Sequence, residues 1–137
     1  MKETKLYAKL RPQLIKWGQV DRVENVLGSG MSDIFYNIAG SVGWIETKVA
    51  HGNLVYFEKF QPNWMRKHLR AGFNRMFVVV LDRQQSIRLY RASDAISVKM
   101  TPRDNWLVAD YTEMPKPEVL LTSPYKDWDS FRSALIS

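Results

Sequence analysis

The sequence contains no cysteine. This excludes a disulfide scaffold, thiolate zinc sites, iron–sulfur clusters and a cysteine nucleophile. No apolar run approaches the ~18 residues of a membrane span, and the N-terminal MKETKLYAKL has no signal-peptide core. Internal repeats and low-complexity stretches are also missing. The expectation is a soluble, cytoplasmic protein from a reducing compartment with no membrane partner. A length of 137 residues, 45% hydrophobic and 25% charged, fits a single domain able to bury its own core.

Acidic residues are scarce in the first two thirds of the chain. Residues 1–91 hold 15 basic and 7 acidic side chains, against 5 and 7 in residues 92–137, for a total of +6. A basic portion of this kind suits a polyanionic partner, most often nucleic acid, or else is a solubilising surface.

Hydrophobic spacing gives the organisation. Leu6, Leu10, Leu14 and Trp17 recur at helical period, so residues 2–17 read as a helix that Pro12 should kink or split and Gly18 should stop. Residues 20–27 alternate as a strand, and Gly28-Ser29-Gly30 connects it onward. Residues 33–38 (DIFYNI) and 43–49 (GWIETKV) read as strands joined by a tight turn within residues 39–42. Pro62 opens a helix that Gly72 closes, with Met65 and Leu69 inward and Arg66, Lys67 and Arg70 outward. The run MFVVVL, residues 76–81, has the composition of a strand buried on both faces, and a further strand follows at residues 87–92. Ser123-Pro124 suggests a helix start before Trp128, Phe131 and Leu135. The order is that of an α/β fold with a mixed sheet.

Three charged residues interrupt these strands: Asp33, Glu46 and Lys48. Glu46 and Lys48, two apart, share a face of their strand. A two-residue turn at Ala39-Gly40 places Asp33 opposite Glu46, a four-residue turn places it opposite Lys48, and an odd turn separates it from both. Two carboxylates with a backbone carbonyl, such as that of Thr47, suit Mg²⁺, and a neighbouring lysine can stabilise developing negative charge. A cross-strand salt bridge on a solvated face is the other reading of the same three residues.

Gly30-Met31-Ser32-Asp33, then Trp44-Ile45-Glu46-Thr47-Lys48, then Gln61 at a helix start resembles the PD-(D/E)XK nuclease superfamily. It is most similar to its small stand-alone VRR-NUC, Holliday junction resolvase-like branch, with a G-x-P-D turn, an E-x-K strand and a helix-opening Gln. Ser32 stands where that branch has proline. The resemblance covers residues 1–91. It implies a restriction-endonuclease-like αβββαβ core with a mixed central sheet flanked by helices, and a C-terminal extension, residues 92–137, packed on it and ending in a helix. It further implies that Asp33 and Glu46 hold Mg²⁺, or Mn²⁺ in its place, that Lys48 supports catalysis, and that Gln61 organises the site, or else serves as a helix cap. Glu3 becomes a further metal ligand, or else an acid stabilised by the start of its helix. His51 is a phosphate contact or a loop residue, and Arg66, Lys67 and Arg70 track a DNA backbone or form a solvated helix face.

The function implied is a metal-dependent DNA endonuclease, structure-selective on branched DNA such as four-way junctions, and homodimeric. The apolar residues Trp106, Leu107, Val108 and 119–121, with a sheet edge at residues 76–92, either supply the shared interface or extend the core of a monomer. A non-catalytic nucleic-acid-binding domain that keeps the nuclease fold is the alternative. An interaction subunit for an acidic protein is a third reading, and either would be expected to lose at least one of Asp33, Glu46 and Lys48. Tryptophans are assigned to packing, with Trp44 the one to watch because it shares a face with Glu46.

Overall fold

The computed structural model describes residues 3–23 and 33–137, with side chains from Lys5 onward. The first helix, α1 (Glu3–Trp17), buries Leu6, Leu10 and Leu14 completely. Pro12 does not split it. The proline and Ala8, whose carbonyl loses its N–H partner, both lie on the exposed side, where water can satisfy that carbonyl. Gly18 ends the helix, and a Cβ there would lie 2.1 Å from the Asn37 carbonyl oxygen, so only glycine lets the chain pass this close to the sheet.

Four strands follow: β1 (Gln19–Arg22), β2 (Ile34–Ile38), β3 (Ser41–Val49) and β4 (Leu54–Glu58). The strand expected over residues 20–27 is described only through Val23; its remainder and the Gly28–Gly30 connection lie outside the described residues. The β2–β3 hairpin turns on Ala39-Gly40, both at positive φ (53° and 87°), which matches the twist of paired strands. Its register pairs Ile38 with Ser41 and Ile34 with Ile45.

After β4 the chain enters α2 (Gln61–Arg70), with Pro62 in its first turn and Gly72 (φ 96°) beyond its end. It then returns as β5 (Met76–Leu81), parallel to β3, and turns into β6 (Ile87–Arg91). Asp82 is buried in that turn, accepting from Gln84 N, Ser86 N and Arg88 Nε at 2.8–2.9 Å. The rest comprises α3 (Ala92–Ala95), β7 (Thr101–Arg103), β8 (Trp106–Asp110), a 3₁₀ turn at Tyr111–Glu113, β9 (Val119–Leu121) and α4 (Trp128–Ile136).

The central sheet has six strands in the order β1-β2-β3-β5-β6-β9, mixed because only β3 and β5 run parallel. Every residue of β5 is buried because the sheet is covered on both faces. Phe77, Val79 and Leu81 pack with α1 and α4 on one side, and Met76, Val78 and Val80 pack with α2 and α3 on the other. The main-sheet order is the expected αβββαβ, with β4 placed in a second, antiparallel sheet, β4-β8-β7. The chain ends in a helix, as expected.

Two expectations change. Pro124 does not start the last helix: Asp127 caps α4, its carboxylate accepting from Ser130 N (3.2 Å) and Ser130 Oγ (2.6 Å). The sheet edge expected at residues 76–92 is not open either, because β5 is internal and β9 of the same chain covers β6. Of the apolar residues assigned to an interface, Val108, Val119 and Leu121 are buried within this chain, while Trp106 and Leu120 are exposed.

Candidate active site

Strand β3 is apolar toward α1, with Ile45 and Val49, but carries Trp44, Glu46 and Lys48 on the face toward α2. Glu46 and Lys48 are 2% and 3% exposed, so this is not a solvated-face salt bridge. Lys48 Nζ lies 3.2 Å from Glu46 Oε2 and 5.1 Å from the centre of the Phe57 ring.

Gln61 links the pair. Its Oε1 accepts from Lys48 Nζ (2.9 Å) and from the backbone N–H of Glu58 (2.8 Å), while its Nε2 donates to Glu46 Oε2 (2.7 Å). It stands at the first position of α2, yet it does not cap that helix, whose N-cap Phe60 has no side-chain hydrogen bond. The Glu58 N–H fixes the amide, and the amide fixes both charged groups. Removing two such charges from water costs several kcal/mol per ion, which their attraction only partly offsets. An apolar pair would fold this strand at least as well, so the charges are better explained by chemistry than by stability.

Asp33 comes opposite Glu46, one residue beyond the Ile34–Ile45 pair. This is the register of the two-residue turn. Its carboxylate accepts from Thr47 N (3.3 Å) and Thr47 Oγ1 (2.6 Å). Burial pushes the Asp33 carboxyl above its ordinary 3.8, against the pull of both Thr47 hydrogen bonds and of the Lys48 ammonium. Trp44 N bonds the Arg75 carbonyl and Ala50 N bonds that of Leu81, so even-numbered peptides of β3 face β5. The peptide of Thr47, carbonyl included, therefore lies on the Asp33 side.

Asp33, Glu46 and the Thr47 carbonyl are hard oxygen donors, and a cation among them would relieve the cost of ionising the half-buried Asp33. Mg²⁺ keeps several waters and needs only one or two carboxylates, so the donors fit it. Among the described residues, no three His, Cys, Asp or Glu side chains converge. Glu3 begins α1, but its side chain lies outside the described residues.

The remaining predicted residues take different places. His51 is exposed and lines a cavity of about 520 Å³ with Lys48, Val49, Tyr56 and Trp106. Lys67 and Arg70 are exposed on α2, whereas Arg66 is half-buried with its guanidinium 3.4 Å from the Ile96 carbonyl at the end of α3. The expectation of an outward Arg66 is corrected: α3 was not foreseen, and its terminal carbonyls attract the cation. Trp44 packs edge-on against Phe35 and Trp64 (5.2 and 5.7 Å). The tryptophan left exposed at the site is Trp106, which the spacing of DNWLVAD could have placed on the outer face of a strand. Among the described residues no helix is long and apolar enough to cross a membrane.

No protein-family model and no curated protein matches the chain. Among solved structures, it is similar to Hjc, a Holliday junction resolvase from the archaeal hyperthermophile Archaeoglobus fulgidus. The two share 16% identity over 85% of this chain and 92% of that chain, with a TM-score of 0.54. The likeness is one of fold, and it gives the restriction-endonuclease-like arrangement that the short motifs implied.

Proposed function

We propose that the chain is a metal-dependent DNA endonuclease of the PD-(D/E)XK type, selective for branched DNA such as four-way junctions. The observation that carries the reading is the buried Glu46–Gln61–Lys48 network beside Asp33, set in a fold shared with a junction resolvase. Within that superfamily, the E-x-K strand and the helix-opening Gln61 are the features that favour the VRR-NUC branch.

Asp33, Glu46 and the Thr47 carbonyl would hold Mg²⁺, with Mn²⁺ as a substitute. When bound, the metal supplies charge neutralisation at the phosphate and a lowered pKa for water. The chain's own residues do the rest. Lys48, held by Gln61 and Glu46, presents an ammonium whose orientation does not have to be found during the reaction, so its charge can favour the negative transition state. Gln61 acts by positioning that ammonium. Thr47 Oγ1 and N–H hold the Asp33 carboxylate in one orientation. Lys67 and Arg70 extend a cationic surface along α2, ~13 Å from Gln61 to Arg70 at 1.5 Å per residue, and serve binding rather than chemistry.

A homodimer completes the proposal, since two-fold symmetry suits a junction with paired strands. Its interface must lie elsewhere than the edge that β9 covers.

The test is incubation of the protein with end-labelled linear, flap and four-way DNA, with and without Mg²⁺. Mg²⁺-dependent cuts in the branched substrates support the proposal. Salt-sensitive binding without cleavage would instead identify a DNA-binding domain of nuclease fold. Sedimentation at about twice the 16.0 kDa chain mass supports the dimer.

A further inference from the structure

The cavity at Lys48 has a second wall that the proposed chemistry does not use. On the outer face of β4-β8-β7 the register brings together Tyr56 and Val108, Glu58 and Trp106, and Arg103 and Trp106. Val55, Phe57 and Ala109 face the other way, into the core. The outer face therefore places Tyr56, Trp106 and Arg103 side by side.

These side chains are held in place yet accessible. Tyr56 and Trp106 meet in a T-shaped contact with centroids 6.3 Å apart, and His51 meets Tyr56 at 5.8 Å. Arg103 Nη1 donates to the Tyr56 hydroxyl (2.7 Å), and its guanidinium lies 5.8 Å from that ring's centre. Trp106 nevertheless remains 42% exposed. The cavity it lines with Lys48, His51 and Tyr56 is about 520 Å³, within the ~300–1,000 Å³ of small-ligand sites. Two acids share this face: Glu58 lies directly opposite Trp106, and Asp110 lies at the other end of β4, opposite Leu54.

An exposed indole beside a braced phenol, with the Arg103 guanidinium against that phenol and the His51 ring at its edge, combines a flat apolar surface with a positive charge. The ligand chemistry that matches both is an unpaired nucleotide: its base stacks on the aromatic wall and its phosphate meets the Arg103 guanidinium. We infer that the Trp106–Tyr56 face stacks a nucleobase drawn out of the helix beside the scissile phosphate. The inference rests on the nuclease reading and goes beyond it, assigning recognition of unpaired DNA to the second sheet. A closed duplex offers no such base, whereas a flap does, and a four-way junction does only where a pair at its branch point opens.

The test uses the full chain in chelator, so that DNA is bound but not cut. Fluorescence anisotropy would compare single-stranded oligothymidylate with a blunt duplex of equal length, for wild type, Trp106→Ala and Trp106→Phe. Trp106→Ala should weaken oligothymidylate binding roughly tenfold while duplex binding stays within about twofold, and Trp106→Phe should retain most of the affinity. Equal losses on both DNAs, or no loss on either, would overturn the inference. So would conversion of a dimer to a monomer by Trp106→Ala, which would make the indole a contact between copies. If wild type cuts branched DNA with Mg²⁺ while Trp106→Ala binds oligothymidylate normally, this inference alone falls. If wild type cuts nothing but the Trp106 effect is found, the nuclease reading falls and the stacking site stands.

Discussion

Replacing Lys48 with methionine removes a charge while keeping nearly the same length and volume. Glu46 would then be a buried carboxylate, 2% exposed, stripped of the ammonium 3.2 Å away. Breaking such a pair from one side costs about 3–5 kcal/mol. The Gln61 amide still donates to Glu46 at 2.7 Å, which favours the lower figure. Glu46→Gln leaves Lys48 on Gln61 Oε1 and the Phe57 ring, with a cost of the same order. The double variant buries no charge at either position and should return to within about 1 kcal/mol of wild type, or exceed it. In urea, a loss of ~3 kcal/mol with an m-value of ~2 kcal/mol per M moves the midpoint by ~1.5 M. Urea unfolding of all four proteins measures the cycle, and cleavage of branched DNA is followed on the same preparations. Stability should recover in the double variant while cleavage stays at least ~10²-fold down, because the rate depends on the charge and not on the packing. Single variants that each cost under ~1 kcal/mol and simply add would show that the pair is solvated. A double variant that cuts DNA would remove both residues from the chemistry.

Asp33→Asn should keep both Thr47 contacts, since the threonine hydroxyl can accept from an amide, while the affinity for Mg²⁺ measured by calorimetry is lost; equal affinity would remove Asp33 from the site. Because burial raises the Asp33 pKa, the native state holds its proton longer than the unfolded chain does. Without metal, this group's contribution to stability should fall as pH rises from about 3.8 through the raised value and stay level above it. Thermal melts should show that slope in wild type, absent from Asp33→Asn and opposed by added Mg²⁺. Lys67→Ala with Arg70→Ala should weaken DNA binding and lower the salt slope by up to about 2, with kcat unchanged on saturating DNA. Arg66→Ala should instead lower the melting temperature with little change in that slope, because its guanidinium holds the Ile96 carbonyl.

The parts of the fold that were legible rest on local signals. The leucine spacing of α1 and the six apolar residues of β5 each state their environment within a few residues, whereas the hairpin within residues 39–42 is legible as a turn but not in its length. The turn length alone set the register that brings Asp33 opposite Glu46. What was not legible depends on partners far along the chain. Strand β4 finds its sheet in β8, some fifty residues later, and β9 closes an edge that the first 91 residues leave open. Arg66 looked outward because α3 is absent from any local pattern. Pro12 looked disruptive because burial, which decides whether the orphaned carbonyl can be hydrated, is not written in spacing. At the candidate site, Glu46, Lys48 and Gln61 were identified by motif, but the Gln61 bridge between the two charges comes from the return of α2 beneath β3. Trp106 reads from sequence as packing or interface, and Arg103 carries no signal at all, because the β7–β8 pairing that sets them beside Tyr56 is not a local pattern.

The central claim is that Asp33, Glu46 and Lys48 form one metal-dependent centre for cutting DNA. Single-turnover cleavage of a labelled four-way junction, with wild type and Asp33→Asn side by side in Mg²⁺, Ca²⁺ and chelator, tests it most directly. The account predicts cleavage by wild type in Mg²⁺ alone, little in Ca²⁺, whose larger and looser shell positions water poorly, none in chelator, and none by Asp33→Asn under any condition while junction binding is retained. Cleavage that persists in chelator, or that Asp33→Asn performs at the wild-type rate, would contradict it.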